Sequence, residues 1–105
     1  MIKSMNVQEL KAKMDAGDKI VLVDCREQEE WDESRIPGAI FIPLSTFQEN
    51  FNQLDPEAEI IMQCRSGRRS LTACQILQEN DYEDLTNLEG GILDWIDQGY
   101  EVIKD

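Results

Sequence analysis

The chain has 105 residues, 41% of them hydrophobic, and 22 acidic against 10 basic side chains give it a formal net charge of -12. That size and hydrophobic content suit one globular domain over residues 1–105, and no apolar run approaches the roughly 20 residues of a membrane span. So negative a surface argues against nucleic acid or anionic membrane as a partner, because both would be repelled.

The opening residues MIKSMNVQELKAK lack the apolar core of a secretory signal, which predicts a cytoplasmic protein. A helix is expected from Asn6 to Ala16, closed by Gly17-Asp18, and then the apolar run IVLVDC, Ile20 to Cys25. Glu27 to Glu33 reads as a second helix, and Pro37-Gly38 turns the chain into AIFIP, Ala39 to Pro43. A third helix over Ser45 to Leu54 stops at Asp55-Pro56 before EIIMQC, Glu59 to Cys64. Helices over Arg68 to Asn80 and Gly91 to Gln98 complete the set, with weaker strand candidates at DLTNL, Asp84 to Leu88, and YEVI, Tyr100 to Ile103. The strong runs are continuous rather than alternating, as in strands covered on both faces. The implied fold class is α/β, a parallel sheet with helices on both sides.

The cations are unevenly spread. Every lysine lies before residue 20 or after residue 103, and the basic residues between are Arg26, Arg35, Arg65, Arg68 and Arg69. Three arginines thus crowd the loop Cys64-Arg65-Ser66-Gly67-Arg68-Arg69-Ser70. Cys64 ends an apolar strand and a helical pattern follows, so the cysteine should sit where α/β sheets bind ligands, beside a helix N-terminus rich in backbone N–H donors. Such a setting favours a thiolate and depresses its pKa, and guanidinium groups suit the oxygens of a sulfur or phosphorus oxyanion. Cys25, Cys64 and Cys74 are odd in number and without metal-ligand spacing, and the chain has no histidine. Neither a disulfide framework, a metal site nor an organic cofactor is expected.

Four groups of residues resemble the successive motifs of the single-domain rhodanese (thiosulfate sulfurtransferase-like) family. They are Asp24-Cys25-Arg26-Glu27, then Trp31 with Arg35-Ile36-Pro37-Gly38-Ala39, then Cys64 to Ser70, then Leu88-Glu89-Gly90-Gly91 with Trp95. The likeness runs from about Val7 to Tyr100. It implies a five-stranded parallel sheet and Cys64 as the residue that carries sulfur as a persulfide. It also implies a donor-binding loop of Arg65, Ser66, Gly67, Arg68 and Arg69, with Asp24, Arg26 and Ser70 in support. Sulfurtransferases of this type have a six-residue loop, here Cys64 to Arg69, whereas the related phosphatases and arsenate reductases need arginine at the position of Ser70. Arg35 stands where the family usually has histidine.

The expected activity is transfer of a sulfane sulfur from a donor such as thiosulfate to a thiophilic acceptor such as cyanide or a thiol. A sulfur relay to a protein partner is the alternative, and a phosphatase or arsenate reductase ranks below both. Asp24 is expected to pair with Arg69 or Arg26. Cys25 reads foremost as a small core residue and secondarily as a resolving thiol, while Cys74 falls on the apolar stripe of its helix. The acidic runs Glu27 to Glu30 and Asp55 to Glu59 read as solvated surface.

Overall fold

A computed structural model describes residues 1–104. Its strands are β1 (Lys3–Met5), β2 (Val21–Asp24), β3 (Ile40–Phe41), β4 (Ile60–Gln63) and β5 (Leu85–Leu88), and its helices are α1 (Val7–Asp15), α2 (Gln28–Glu33), α3 (Phe47–Asn50), α4 (Arg68–Glu79) and α5 (Gly91–Asp97). The strands form one sheet in the order β1-β5-β4-β2-β3, and every pairing is parallel. The α/β five-stranded parallel sheet is therefore as expected, with one exchange of members.

The fifth strand is β1, not YEVI. β1 pairs with β5 through Lys3 with Thr86 and Met5 with Leu88, although only Met5 of its three residues is buried. In YEVI the single sheet-like contact is an antiparallel bridge between Ile103 and Arg35. Tyr100 packs edge-on against Trp95 instead, with ring centroids 4.9 Å apart. A strand-like composition thus covers a helix rather than extending the sheet.

The expected helix over Ser45 to Leu54 is broken. Only Phe47–Asn50 is α-helical, with 3-10 turns at Leu44–Thr46 and Phe51–Gln53. The Asn50 amide donates to Thr46 O and the Gln53 amide to Asn50 O, so polar side chains compete for the carbonyls a longer helix would use. By contrast α1 starts cleanly: Asn6 Oδ1 accepts from Glu9 N at 2.8 Å and Glu9 Oε1 accepts from Asn6 N at 3.0 Å. Such reciprocal capping contributes about 1 kcal/mol.

β4 lies between β5 and β2, and all four of its residues are buried. Alternation along the strand sends Ile60, Met62 and Cys64 to one face and Ile61 to the other. On the first face Ala73, Cys74 and Leu77 of α4 pack with Phe47; on the second, Leu10 of α1 packs with Ile92 and Trp95 of α5. The parallel arrangement brings the ends of β2, β4 and β5 to one edge, where Cys64 lies.

Candidate active site

Cys64 is the first residue past β4, buried at 0% exposure, and the chain reverses over it into α4. Gly67 makes the reversal with φ of 99°, in the left-handed region that a side chain disfavours. Its N–H thereby points back at Cys64 Sγ, 3.1 Å away. Ser70, in the first turn of α4 and also fully buried, brings its Oγ to 3.3 Å from the sulfur. That hydroxyl touches Asn87 Oδ1 on its other side, and Asn87 Nδ2 donates to Gly67 O at 3.0 Å. Ser70 has one proton to give: to Asn87 while Cys64 keeps its own, and to the sulfur once Cys64 is ionised.

A second thiol completes the surroundings. Cys25 follows β2, and its thiol is the largest influence lowering the Cys64 pKa. Ser70 and the backbone N–H groups of Ser70 and Gly67 act the same way against the cost of burial, and the thiol is pushed down to about 4. Cys25 is correspondingly held far above the ordinary thiol value, first by its interaction with Cys64 and then by burial. Cys74 is pushed up to about 12 by burial alone and packs in the core as expected.

The loop is anchored from the far face of the sheet. Ile92 N donates to Cys64 O at 3.0 Å and Leu93 N to Arg65 O at 3.2 Å, so the first turn of α5 occupies the loop's carbonyls and leaves its amides for the sulfur. This close approach requires Gly91, since a Cβ there would lie 2.4 Å from Arg65 O and 2.5 Å from Cys64 O.

The other sequence-derived residues divide into two groups. Arg65, Ser66 and Arg68 are exposed on the rim, and neither arginine makes an ion pair or side-chain hydrogen bond among the described residues. Arg68 borders a shallow depression with Leu71, Glu89 and Gly90. Asp24 and Arg26 form a buried pair, Arg26 Nη2 to Asp24 Oδ2 at 2.8 Å, and Arg26 Nη2 also donates to Ser34 O at 2.6 Å. Of the two partners expected for Asp24, Arg26 is the one it meets.

Arg69 turns to Glu30 through two parallel hydrogen bonds of 2.7 and 2.8 Å. Its guanidinium keeps the Glu30 carboxyl down at about 2 and adds positive potential near the thiols. Arg35 lies over the Trp31 ring at 5.0 Å and donates to Trp31 O, remote from the loop.

Sequence reasoning passed over Glu30 and Asn87. Glu30 sits in an acidic run that reads as surface, and only the fold brings it to Arg69. Asn87 did carry a signal, an amide in the interior of a short apolar strand, where burial demands hydrogen-bond partners. Gln63 is also buried; its amide nitrogen donates to Cys64 O at 2.8 Å, while its Oε1 has no partner among the described residues.

Comparison with known proteins agrees with the motifs. Residues 6–98 match the model of the rhodanese-like domain. YtwF of Bacillus subtilis, provisionally named a sulfurtransferase, is 37% identical over 94 residues that cover 90% of each chain. A sulfurtransferase of Allochromatium vinosum is 27% identical over 103 residues, 98% of this chain and 96% of that one. A crystal structure of a rhodanese-like domain protein from Staphylococcus aureus superposes with a TM-score of 0.88 at 31% identity, covering 99% of both chains.

Proposed function

This chain belongs to the rhodanese-like domain family, and from that premise we propose that it is a sulfurtransferase working through a persulfide on Cys64. The observation that carries the reading is a buried cysteine at a strand end whose sulfur lies against Gly67 N–H and the Ser70 hydroxyl, a setting that lowers its pKa. A sulfur already ionised needs no general base, which accords with a chain that has no histidine.

In the first half-reaction the Cys64 thiolate attacks the outer sulfur of a donor such as thiosulfate, sulfite departs, and the sulfur stays on Cys64. The Gly67 and Ser70 donors would stabilise the persulfide anion, and Arg65 and Arg68 on the rim would hold the donor's sulfonate oxygens. Because Arg69 is engaged with Glu30, its contribution is to the loop's shape and potential. A thiophilic acceptor, cyanide or a thiol, then removes the outer sulfur, giving ping-pong kinetics. Thiosulfate is the donor that the family resemblance implies, and exposed guanidinium groups suit its sulfonate oxygens.

Phosphoryl transfer is disfavoured by the loop itself. Where an arginine would be required, Ser70 places a buried hydroxyl against the sulfur, and the ring that encloses Cys64 is one residue shorter.

The test is to incubate reduced protein with thiosulfate and locate the added mass by intact-protein and peptide spectrometry. A gain of one sulfur on Cys64, removed by cyanide, is the expected result. Full thiosulfate:cyanide turnover in Cys64→Ser would refute the assignment.

A further inference from the structure

Cys64 does not stand alone at the end of the sheet. β2 and β4 are parallel and in register through Asp24 and Gln63, and Cys25 N–H bonds Gln63 O at 2.9 Å. The next pair along the two strands is therefore Cys25 and Cys64. Both point to the same face and lie in the same buried cluster at 0% exposure. Neighbouring strands run about 4.8 Å apart, inside the roughly 4.4–6.8 Å between Cα atoms that a disulfide spans. Each of the two thiols is the largest influence on the other's ionisation, in keeping with their places side by side. The Asp24–Arg26 pair brackets Cys25, and Arg26 N donates to Asp24 Oδ1 at 2.9 Å, so the backbone presenting the second thiol is fixed.

Resting on the Cys64 persulfide proposed above, we infer that Cys25 is an internal resolving thiol, which splits that persulfide and releases its outer sulfur as hydrosulfide. The Cys25 sulfur bonds to Cys64 Sγ as the bond from Sγ to the outer sulfur breaks, and the Cys25 proton leaves on the departing sulfur. The two cysteine sulfurs give up one electron each in forming the disulfide, and the outer sulfur takes both in passing from sulfane to sulfide. An external dithiol then reopens the Cys25–Cys64 bond, supplying two electrons and two protons.

The geometry suits this division of labour. The Gly67 and Ser70 donors belong to the loop and Cys25 to the neighbouring strand, so an outer sulfur turned toward the loop would leave the inner sulfur to Cys25. Cys25 is buried and retains its proton well into the alkaline range, so its attack is slow. An external acceptor that reaches the loop is served first, and Cys25 clears the persulfide when none arrives.

The experiment loads the reduced protein with thiosulfate, removes small molecules, and holds it without thiol or cyanide. Released sulfide is trapped and quantified, and the protein is alkylated and mapped under non-reducing conditions. One sulfide per loaded Cys64, together with a linked Cys25–Cys64 peptide pair that dithiothreitol reopens, is the expected outcome. Cys74→Ser should behave as the wild type, since that thiol lies apart, 3.8 Å from Thr86 O. Cys25→Ser, whatever its rate of loading, should release no sulfide from the Cys64 persulfide it does form.

If wild-type Cys64 does not load, the sulfurtransferase reading itself fails. If it loads but keeps its sulfur, passes it to Cys25 as a second persulfide, or forms a disulfide between two chains, only the internal resolution is overturned. The wild-type map decides this even should Cys25→Ser not fold.

Discussion

A free cysteine loses its proton near pH 8.5. Cys64 loses it near 4 because several donors converge on one sulfur and outweigh the cost of burying the charge. The folded value lies below the ordinary one, so between about pH 4 and 8.5 the native chain holds a thiolate where an unfolded chain would hold a thiol. The thiolate absorbance of wild type over Cys64→Ser should therefore be constant from pH 6 to 8 and vanish through a midpoint near 4. The rate of sulfur uptake should follow it down. Removing the hydroxyl in Ser70→Ala deletes a hydrogen bond to a charged group, typically about 1.5–3 kcal/mol, and should raise the midpoint by about one to two pH units. A midpoint unmoved in that variant, or already near 8.5 in the wild type, would show that the loop does not ionise Cys64. Cys25 illustrates where residue-level reading stops. A small core residue and a partner of the nucleophile call for the same composition, and only strand register distinguishes them.

At the scale of elements, the loop owes its form to α5 as much as to its own residues. Gly91 has φ of 56° and lets the first turn of α5 close on the carbonyls of Cys64 and Arg65. Gly17, with φ of 73° and, its chain neighbours aside, nothing among the described residues within 4 Å of where a Cβ would lie, supplies the matched control. Gly17→Ala should cost about 1–2 kcal/mol, the conformational penalty alone. Gly91→Ala adds overpacking against backbone and should cost about 2–5 kcal/mol in urea unfolding, with the Cys64 midpoint rising as the loop is displaced. Equal costs for the two variants would mean that α5 does not brace the loop. This bracing was legible only as the Gly90-Gly91 pair, which the sequence shows as punctuation. The apolar strands β2 and β4 and the helices α1 and α4 were readable because burial on both faces of a strand, and stop signals or an apolar stripe on a helix, leave local patterns. β1 was not, since three residues with two exposed carry no period and exist as a strand only through β5. The break in Ser45 to Leu54 depends likewise on where Thr46 and Asn50 find their partners.

Over the whole molecule, a net charge of -12 should repel an anionic donor, yet the site must admit one. Much of the positive charge is already engaged: Lys3 with Asp84, Lys11 with Asp15, Lys13 with Glu59, Arg26 with Asp24 and Arg69 with Glu30. Arg65 and Arg68 are exposed at the mouth and make no such pairs among the described residues, so attraction there is local while repulsion is global. Ionic strength separates the two. The molecule measures 35 × 29 × 20 Å, and the Debye length falls from about 30 Å at 0.01 M salt to about 8 Å at 0.15 M. At low salt a donor at the mouth feels nearly all of the acidic surface; at the higher concentration it feels little beyond the rim. Arg65→Ala or Arg68→Ala should each lower kcat/KM for thiosulfate by about 1.5–3 kcal/mol, roughly 10- to 150-fold. In wild type, screening weakens attraction and repulsion together, and kcat/KM should change little with salt. In the double variant repulsion is unopposed, so kcat/KM should rise as salt is added, while the step with hydrogen cyanide, neutral at pH 7, stays flat. A double variant whose thiosulfate rate falls with salt, or single variants that match the wild type, would remove these arginines from donor binding.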